Sequence, residues 1–386
     1  MNRTRIAFYG FFIALAATAM SSCGPATADN NNTTEQEPDR DSANKTTYTV
    51  EKLYHEFKNP WGMVWLPDGR MLVTERAGEI LVFKNDQFTG EKLAGVPKVL
   101  NKGQGGLLDI TLHPDYARNK WIYISYAKPV KNGGTTAISR FKLDGNNIVE
   151  LQTLFEAQPA LEANHHYGSR IIFDKDNYMF FSVGERGTRE KVWELSNDLG
   201  KIHRLKDDGK TPDDNPFVNQ AGAKPSIWTY GHRNPQGLVY DAANNRIWSH
   251  EHGPRGGDEL NLIEKGNNYG WSKTTYGINY DSTVISEFKE MEGVTNPVRY
   301  WVPSIAPCGL EIVTSDRYPD WKGNLLVGAL SFEHIARVQL SGVKYIGEER
   351  LADKIGRVRE VAQSPDGYIY AVTEHPGLLI KLVPNK

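Results

Sequence analysis

WGMVWLPDGRMLVTERAGEILVF, residues 61–83, is a short apolar strand that alternates faces, a Pro-Asp-Gly turn and a second apolar strand. The same pattern returns as LLDITLHPDYARNKWIYISY (107–126), RIIFDKDNYMFFSVG (170–184) and GLVYDAANNRIWSH (237–250), then as LEIVTSDRYPDWKGNLLVGAL (310–330) and VREVAQSPDGYIYAVTEHPGLLIKL (358–382). Alternation marks strands, and Pro, Asp, Gly and Asn between them supply the backbone angles of tight turns. The turns fall near positions 67, 114, 175, 243, 319 and 366. This spacing exceeds the ~40–50 residues of regular propeller repeats, which implies four-stranded blades with long insertions. Six similar hairpins with almost no sustained helical periodicity predict an all-β fold. The expected architecture is a six-bladed β-propeller of four-stranded antiparallel blades, closed so that only protected edges remain.

Outward from that repeat, the chain begins differently. Arg3 and Arg5 precede an apolar run from Ile6 to Met20 and then Ser21-Ser22-Cys23-Gly24. A basic start, a short apolar core and small residues describe a secretory signal peptide over 1–22, and the run falls short of the ~20 residues of a membrane-spanning helix. The cysteine after the small residues resembles the bacterial lipoprotein signal, which implies acylation of Cys23 and a membrane anchor at the cell envelope. Residues 23–45 carry almost nothing apolar and read as a disordered tether. The propeller is expected over 46–386. A net charge of −2 with no basic stripe argues against nucleic acid as a partner. Cys308 is the one other cysteine, so with Cys23 acylated no internal disulfide is expected.

Unusual residues collect between the strands, where a propeller gathers its functional loops. Gly103-Gln104-Gly105-Gly106 projects one amide from a glycine-rich turn. Asn164-His165-His166-Tyr167 holds adjacent histidines. In extended chain these point to opposite faces, so one at most enters the channel and a two-histidine chelate is not expected. A histidine with a near-neutral pKa suits the removal of a proton from an alcohol, and Glu185 is a carboxylate placed to orient it. Arg233 and Asn234, beside Pro235, are donors suited to an anionic or quinone oxygen. Glu251-His252-Gly253-Pro254 runs on to Asp258 and Glu259, offering carbonyls and carboxylates that suit Ca²⁺ rather than Zn²⁺. Arg357 and Arg359, two apart in a strand, share a face and serve either a polycarboxylate or surface ion pairs.

In this order, GQGGLL…HPDY, HHYGSR, GHRNPQGL, EHGPRGGDELNLIEKGNNYGW and RVRE…SPDG resemble the soluble aldose (glucose/sorbosone-type) sugar dehydrogenases that depend on pyrroloquinoline quinone (PQQ), from about Asn59 to Val383. The resemblance implies oxidation of an aldose at its anomeric carbon to a lactone, with PQQ and Ca²⁺ as cofactors. It implies His166 as general base oriented by Glu185, and Gln104 on the sugar. It further implies Arg233 and Asn234 on the reactive quinone oxygen and the substrate hydroxyl, and the Gly253 and Pro254 carbonyls on a cofactor-bridging Ca²⁺. Asp258, Glu259 and Tyr269 match a structural calcium site, and Arg357 and Arg359 match the partners of the cofactor carboxylates. Two stretches depart. Ser331 stands where many members have a lysine or arginine, and residues 276–304, expected to shape the substrate mouth, match little. The preferred sugar and the electron acceptor stay open. Two other readings compete: a calcium-dependent propeller lactonase or other hydrolase, and a non-catalytic envelope propeller that binds glycan or protein.

Overall fold

The computed structural model describes residues 46–385, so the expected signal peptide, Cys23 and tether lie outside the described residues. Six four-stranded antiparallel sheets make up the described part, a six-bladed β-propeller. Blades 1 to 5 span residues 60–92, 107–156, 171–230, 235–301 and 307–351. In each the chain runs from the first strand to the fourth by successive antiparallel neighbours. The sixth blade takes three strands from residues 357–384, and its fourth is the first of the described strands, Tyr48–Tyr54. That strand lies antiparallel to Leu379–Pro384, with Tyr48 opposite Pro384 and Val50 opposite Leu382. The two ends of the domain therefore close the ring by backbone hydrogen bonds. Among the described residues the only α-helix is Tyr116–Asn119, too short to interrupt the all-β pattern.

Burial follows the strand's place in the blade rather than a strict alternation of faces. Tyr48–Tyr54 is irregularly half-exposed, and Gln87–Lys92 is exposed almost throughout. Met179–Val183 and Ile369–Glu374 are buried at every position. The reason is packing. Neighbouring blades stack face to face, so inner and second strands bury both faces. Phe57, Met63, Met71, Val73 and Phe83 of the first blade and its approach pack on Tyr370, Val372 and Leu379 of the sixth. Each such side chain contributes about 1.5–3 kcal/mol by burial. Packing of this kind stands in place of a disulfide, for Cys308 is buried and free.

A charged knot crosses the channel. Arg170, at the entry of blade 3, bonds Asp109 of blade 2 at 2.9 Å and Glu360 of blade 6, and its Nε donates to the Gln236 carbonyl of blade 4 at 3.2 Å. Arg359 bonds Glu374 at 3.0 Å, Gln236 at 3.0 Å and the Cys308 sulfur at 3.3 Å. These groups fill the middle of the ring and leave room for a ligand at its mouth.

Candidate active site

In antiparallel blades the start of each first strand and the end of each second strand lie at the same end of the ring. The segments before Leu107, Ile171 and Pro235 thus meet those after Val183 and Glu251. They enclose a cavity of about 440 Å³. Gln104, His165, His166, Glu185, Arg233 and Pro254 line it, together with Gly187, Arg189, Trp271, Asn279, Tyr280 and Ile285.

His166 sits at φ +56°, in the left-handed region, rather than in extended chain. This overturns the expectation that His165 and His166 face opposite ways. The two rings meet edge to face with centroids 4.5 Å apart, and both line the cavity. Local contacts hold the unusual conformation. The Gln104 side-chain oxygen accepts the His166 N–H at 2.8 Å. The Gln104 N–H donates to the Asn164 carbonyl at 2.7 Å. Gly184 and Gly103 permit the crowding, since a Cβ at Gly184 would meet the His166 carbonyl at 2.1 Å, and one at Gly103 the Asn164 carbonyl at 2.4 Å.

His166 Nδ1 is hydrogen-bonded to Glu185 Oε1. A carboxylate only accepts, so Nδ1 carries the proton and Nε2 keeps its lone pair. Burial, with the charges of Arg233, His165 and Arg186, pushes the His166 pKa down to about 2, far from the near-neutral value expected. The bond to Glu185 acts the other way, but the net field keeps the ring neutral. Burial raises the Glu185 carboxyl, and Arg233 opposes that rise. Gly187 N–H donates to the same Glu185 oxygen at 2.9 Å and fixes it. The ligand atoms of His165, His166 and Glu185 lie within 4.8 Å of one another. The Arg186 and Arg233 charges that disfavour a proton there disfavour a metal ion as well, so the trio does not suit a cation.

Asn234 is buried, its Oδ1 accepting the Gly168 N–H at 3.0 Å, while its Nδ2 is buried with no acceptor. Arg233 Nη1 donates to the carbonyls of His252 and Gly253, each at 3.0 Å. The Gly253 carbonyl, expected to face a calcium ion, thus holds a guanidinium. Carbonyl and cation arranged so do not fit a bridging Ca²⁺.

The expected Asp258–Glu259–Tyr269 set divides. Neighbours on one strand face opposite ways. Asp258 accepts from Gly253 N–H at 2.8 Å, Ser304 Oγ at 2.7 Å and Ala306 N–H at 2.9 Å, which pins the loop after Glu251. Its oxygens are occupied by the protein. Tyr269 gives its hydroxyl to the Leu262 carbonyl at 2.6 Å and stacks on His232. Glu259 instead lies opposite Glu251 across the ladder. Burial first, and Glu251 second, raise the Glu259 carboxyl well above its ordinary value. Asn261 Oδ1 beside them is buried without a donor. Glu251 already holds the His232 ring and the Arg233 N–H, but the half-buried Glu259 carboxylate and the orphaned Asn261 oxygen beside it fit a hard cation such as Ca²⁺, with Glu251 and Asn261 as members that motif reading passed over.

Arg357 and Arg359 both turn to Glu374, at 3.7 and 3.0 Å. Burial pushes the Glu374 carboxyl up, but Arg359, Arg76 and Arg357 outweigh it and hold it below its ordinary value. Three guanidiniums around one carboxylate, none of them lining the cavity, leave a positive surplus behind Gln104, where Arg76 bonds the Gly103 carbonyl. With Arg189 and Arg233 on the cavity wall, Asn234 Nδ2 unpartnered beneath it and Tyr280 three-quarters exposed, the site fits a flat polyanion such as PQQ. Tyr280, Asn279 and Ile285 come from the stretch 276–304 that motifs left unread.

Comparison with known proteins agrees. The chain is 40% identical over 347 residues to the aldose sugar dehydrogenase YliI of Escherichia coli, covering 88% of this chain and 94% of that one. The crystal structure of the soluble aldose sugar dehydrogenase of Escherichia coli in its apo form superposes with a TM-score of 0.85 at 38% identity, over 88% of this chain and 100% of the other. The PQQ-bound form of an aldose sugar dehydrogenase from Streptomyces coelicolor gives 0.72 at 26% identity, over 88% and 99%. The model of the family described as glucose/sorbosone dehydrogenase matches residues 57–381, and the chain belongs to that family.

Proposed function

We propose that this chain is an aldose sugar dehydrogenase that uses PQQ and oxidises its substrate at the anomeric carbon to a lactone. One observation carries the reading: a neutral imidazole, fixed by Glu185 through Nδ1, offers Nε2 to a cavity with a positive mouth. Bound there, PQQ would supply a two-electron acceptor for the hydride leaving the sugar. His166 Nε2 takes the proton from the anomeric hydroxyl. Glu185 orients the ring and stabilises the imidazolium that results. Asn234 Nδ2 and the Arg233 guanidinium stand ready for negative charge developing at the acceptor, already oriented and shielded from bulk water. Gln104 positions the base through its backbone and presents its remaining polar edge to the substrate. Calcium would be held by Glu259 and Asn261 beside Glu251, and would there support the wall of blade 4.

The apolar run before Cys23 and the polar tether after it support placement as a lipid-anchored protein of the bacterial envelope. The test is reconstitution of the purified protein with PQQ and Ca²⁺, followed by dye reduction with a panel of aldoses. Sugar-dependent reduction that requires PQQ is the expected result. Absence of PQQ binding in a direct titration would overturn the proposal.

A further inference from the structure

Arg76 follows immediately on the second strand of blade 1, Arg70–Glu75. Other blades put mouth residues at the same place: Glu185 shortly after Met179–Val183, and His252 and Gly253 after Arg246–Glu251. In blade 5 the corresponding position, after Leu325–Ala329, brings the uncharged Leu330 and Ser331. By its place in the repeat, then, Arg76 stands at the cavity end of blade 1, behind the lining residue Gln104 rather than in the lining itself. Its backbone is held on both sides, N–H to the Asn59 carbonyl at 3.0 Å and carbonyl to the Leu107 N–H at 3.0 Å.

The side chain is poorly used by the protein itself. Among the described residues the Arg76 guanidinium makes one hydrogen bond, Nη2 to the Gly103 carbonyl at 2.5 Å, next to Gln104 on the cavity wall. Its Nε is buried and has no partner. Glu374 is the carboxylate it senses, but Arg359 already bonds that group and Arg357 stands 3.7 Å from it. Glu75, the other acid nearby, is turned to the Lys58 and Asn59 amides at 2.9 and 2.7 Å. A guanidinium has five donors in a fixed fork suited to carboxylates. Here most of them are unspent, in a place short of negative charge.

We infer that Arg76 is a cofactor-binding residue whose guanidinium, with Arg357, pairs a carboxylate of the bound quinone at the blade 1–blade 6 side of the mouth. The inference rests on the quinone reading given above. It also accounts for a cationic mouth in a chain whose fifth blade contributes no charge there.

The test is a PQQ titration of the apoprotein by fluorescence quenching, with wild type, Arg76→Met and Arg76→Lys compared at low and high salt. Loss of one charge-assisted pair corresponds to a dissociation constant about ten- to a hundredfold weaker in Arg76→Met. Arg76→Lys should recover part of this, and the difference from wild type should shrink at high salt. Unfolding midpoints identify a variant that merely fails to fold; in that event the salt dependence of Arg76→Lys against wild type decides. Equal dissociation constants in folded wild type and variants overturn the role of Arg76 and leave the quinone reading intact. A wild-type protein that does not bind PQQ overturns both.

Discussion

At His166 the surroundings, rather than the imidazole's own basicity, set the protonation state. A pKa displaced downward means the neutral form persists as pH falls, so the base stays competent well below the usual histidine range. The profile of kcat/KM against pH should accordingly show no acid limb near 6.5. A limb there would mean that His166 titrates as an ordinary exposed histidine and that the buried, Glu185-bonded arrangement is not the working one. His166→Ala should lower kcat by about 10²–10⁴-fold with PQQ affinity little changed. The residue types of this centre were legible: Gln104, His166, Glu185, Arg233 and Asn234 stand in loops between strands and converge in the structure. Their conformation was not. Nothing in the order Asn-His-His-Tyr announces a left-handed histidine, since that state depends on Gln104, 62 residues away. Arg76 was equally silent, reading as the end of a strand in TERAG.

Elements carry a second pH effect. The strand Lys201–Leu205 is buried throughout, and Lys201 donates Nζ to the carbonyls of Val192 at 2.9 Å and Leu199 at 2.6 Å. It thereby fastens the segment after Glu185 to blade 3. Burial, opposed by Asp198 and Glu194, pushes the lysine down from 10.5 to about 7. A depressed folded-state pKa favours the deprotonated form, so the folded state binds fewer protons than the unfolded chain between these values. Stability should therefore fall as pH is lowered from about 10 toward 7 and level off below. Thermal midpoints across that range measure the slope, and Lys201→Met should flatten it. An identical slope in the variant would remove Lys201 as its source. At this scale, turn chemistry such as Pro67-Asp68-Gly69 and Pro365-Asp366-Gly367 revealed the hairpins. Strand burial was harder to anticipate, because period-2 alternation describes a sheet with one wet face, and stacked blades leave none on their inner strands.

For the whole molecule, Arg170 ties blades 2, 3, 4 and 6 across the channel. Arg170→Met would strand Asp109 and Glu360, both buried acids, without a counter-charge. The expected cost is about 3–5 kcal/mol, read as a lower midpoint in urea unfolding; a change within experimental scatter would show that the knot is dispensable. The six-fold count could be read from the repeat, but the manner of closure could not. Tyr48–Tyr54 pairs with a segment more than 300 residues away and carries no turn signal of its own. In that closed blade the two ends of the propeller domain are neighbours, with the Asn385 N–H donating to the Thr47 carbonyl at 2.8 Å. Where the run of propeller strands is opened is therefore incidental to the ring. A few linking residues between the ends and a new opening in an outer loop would give a circular permutant with the same six blades, and would let a fusion partner be moved around the rim without disturbing the mouth.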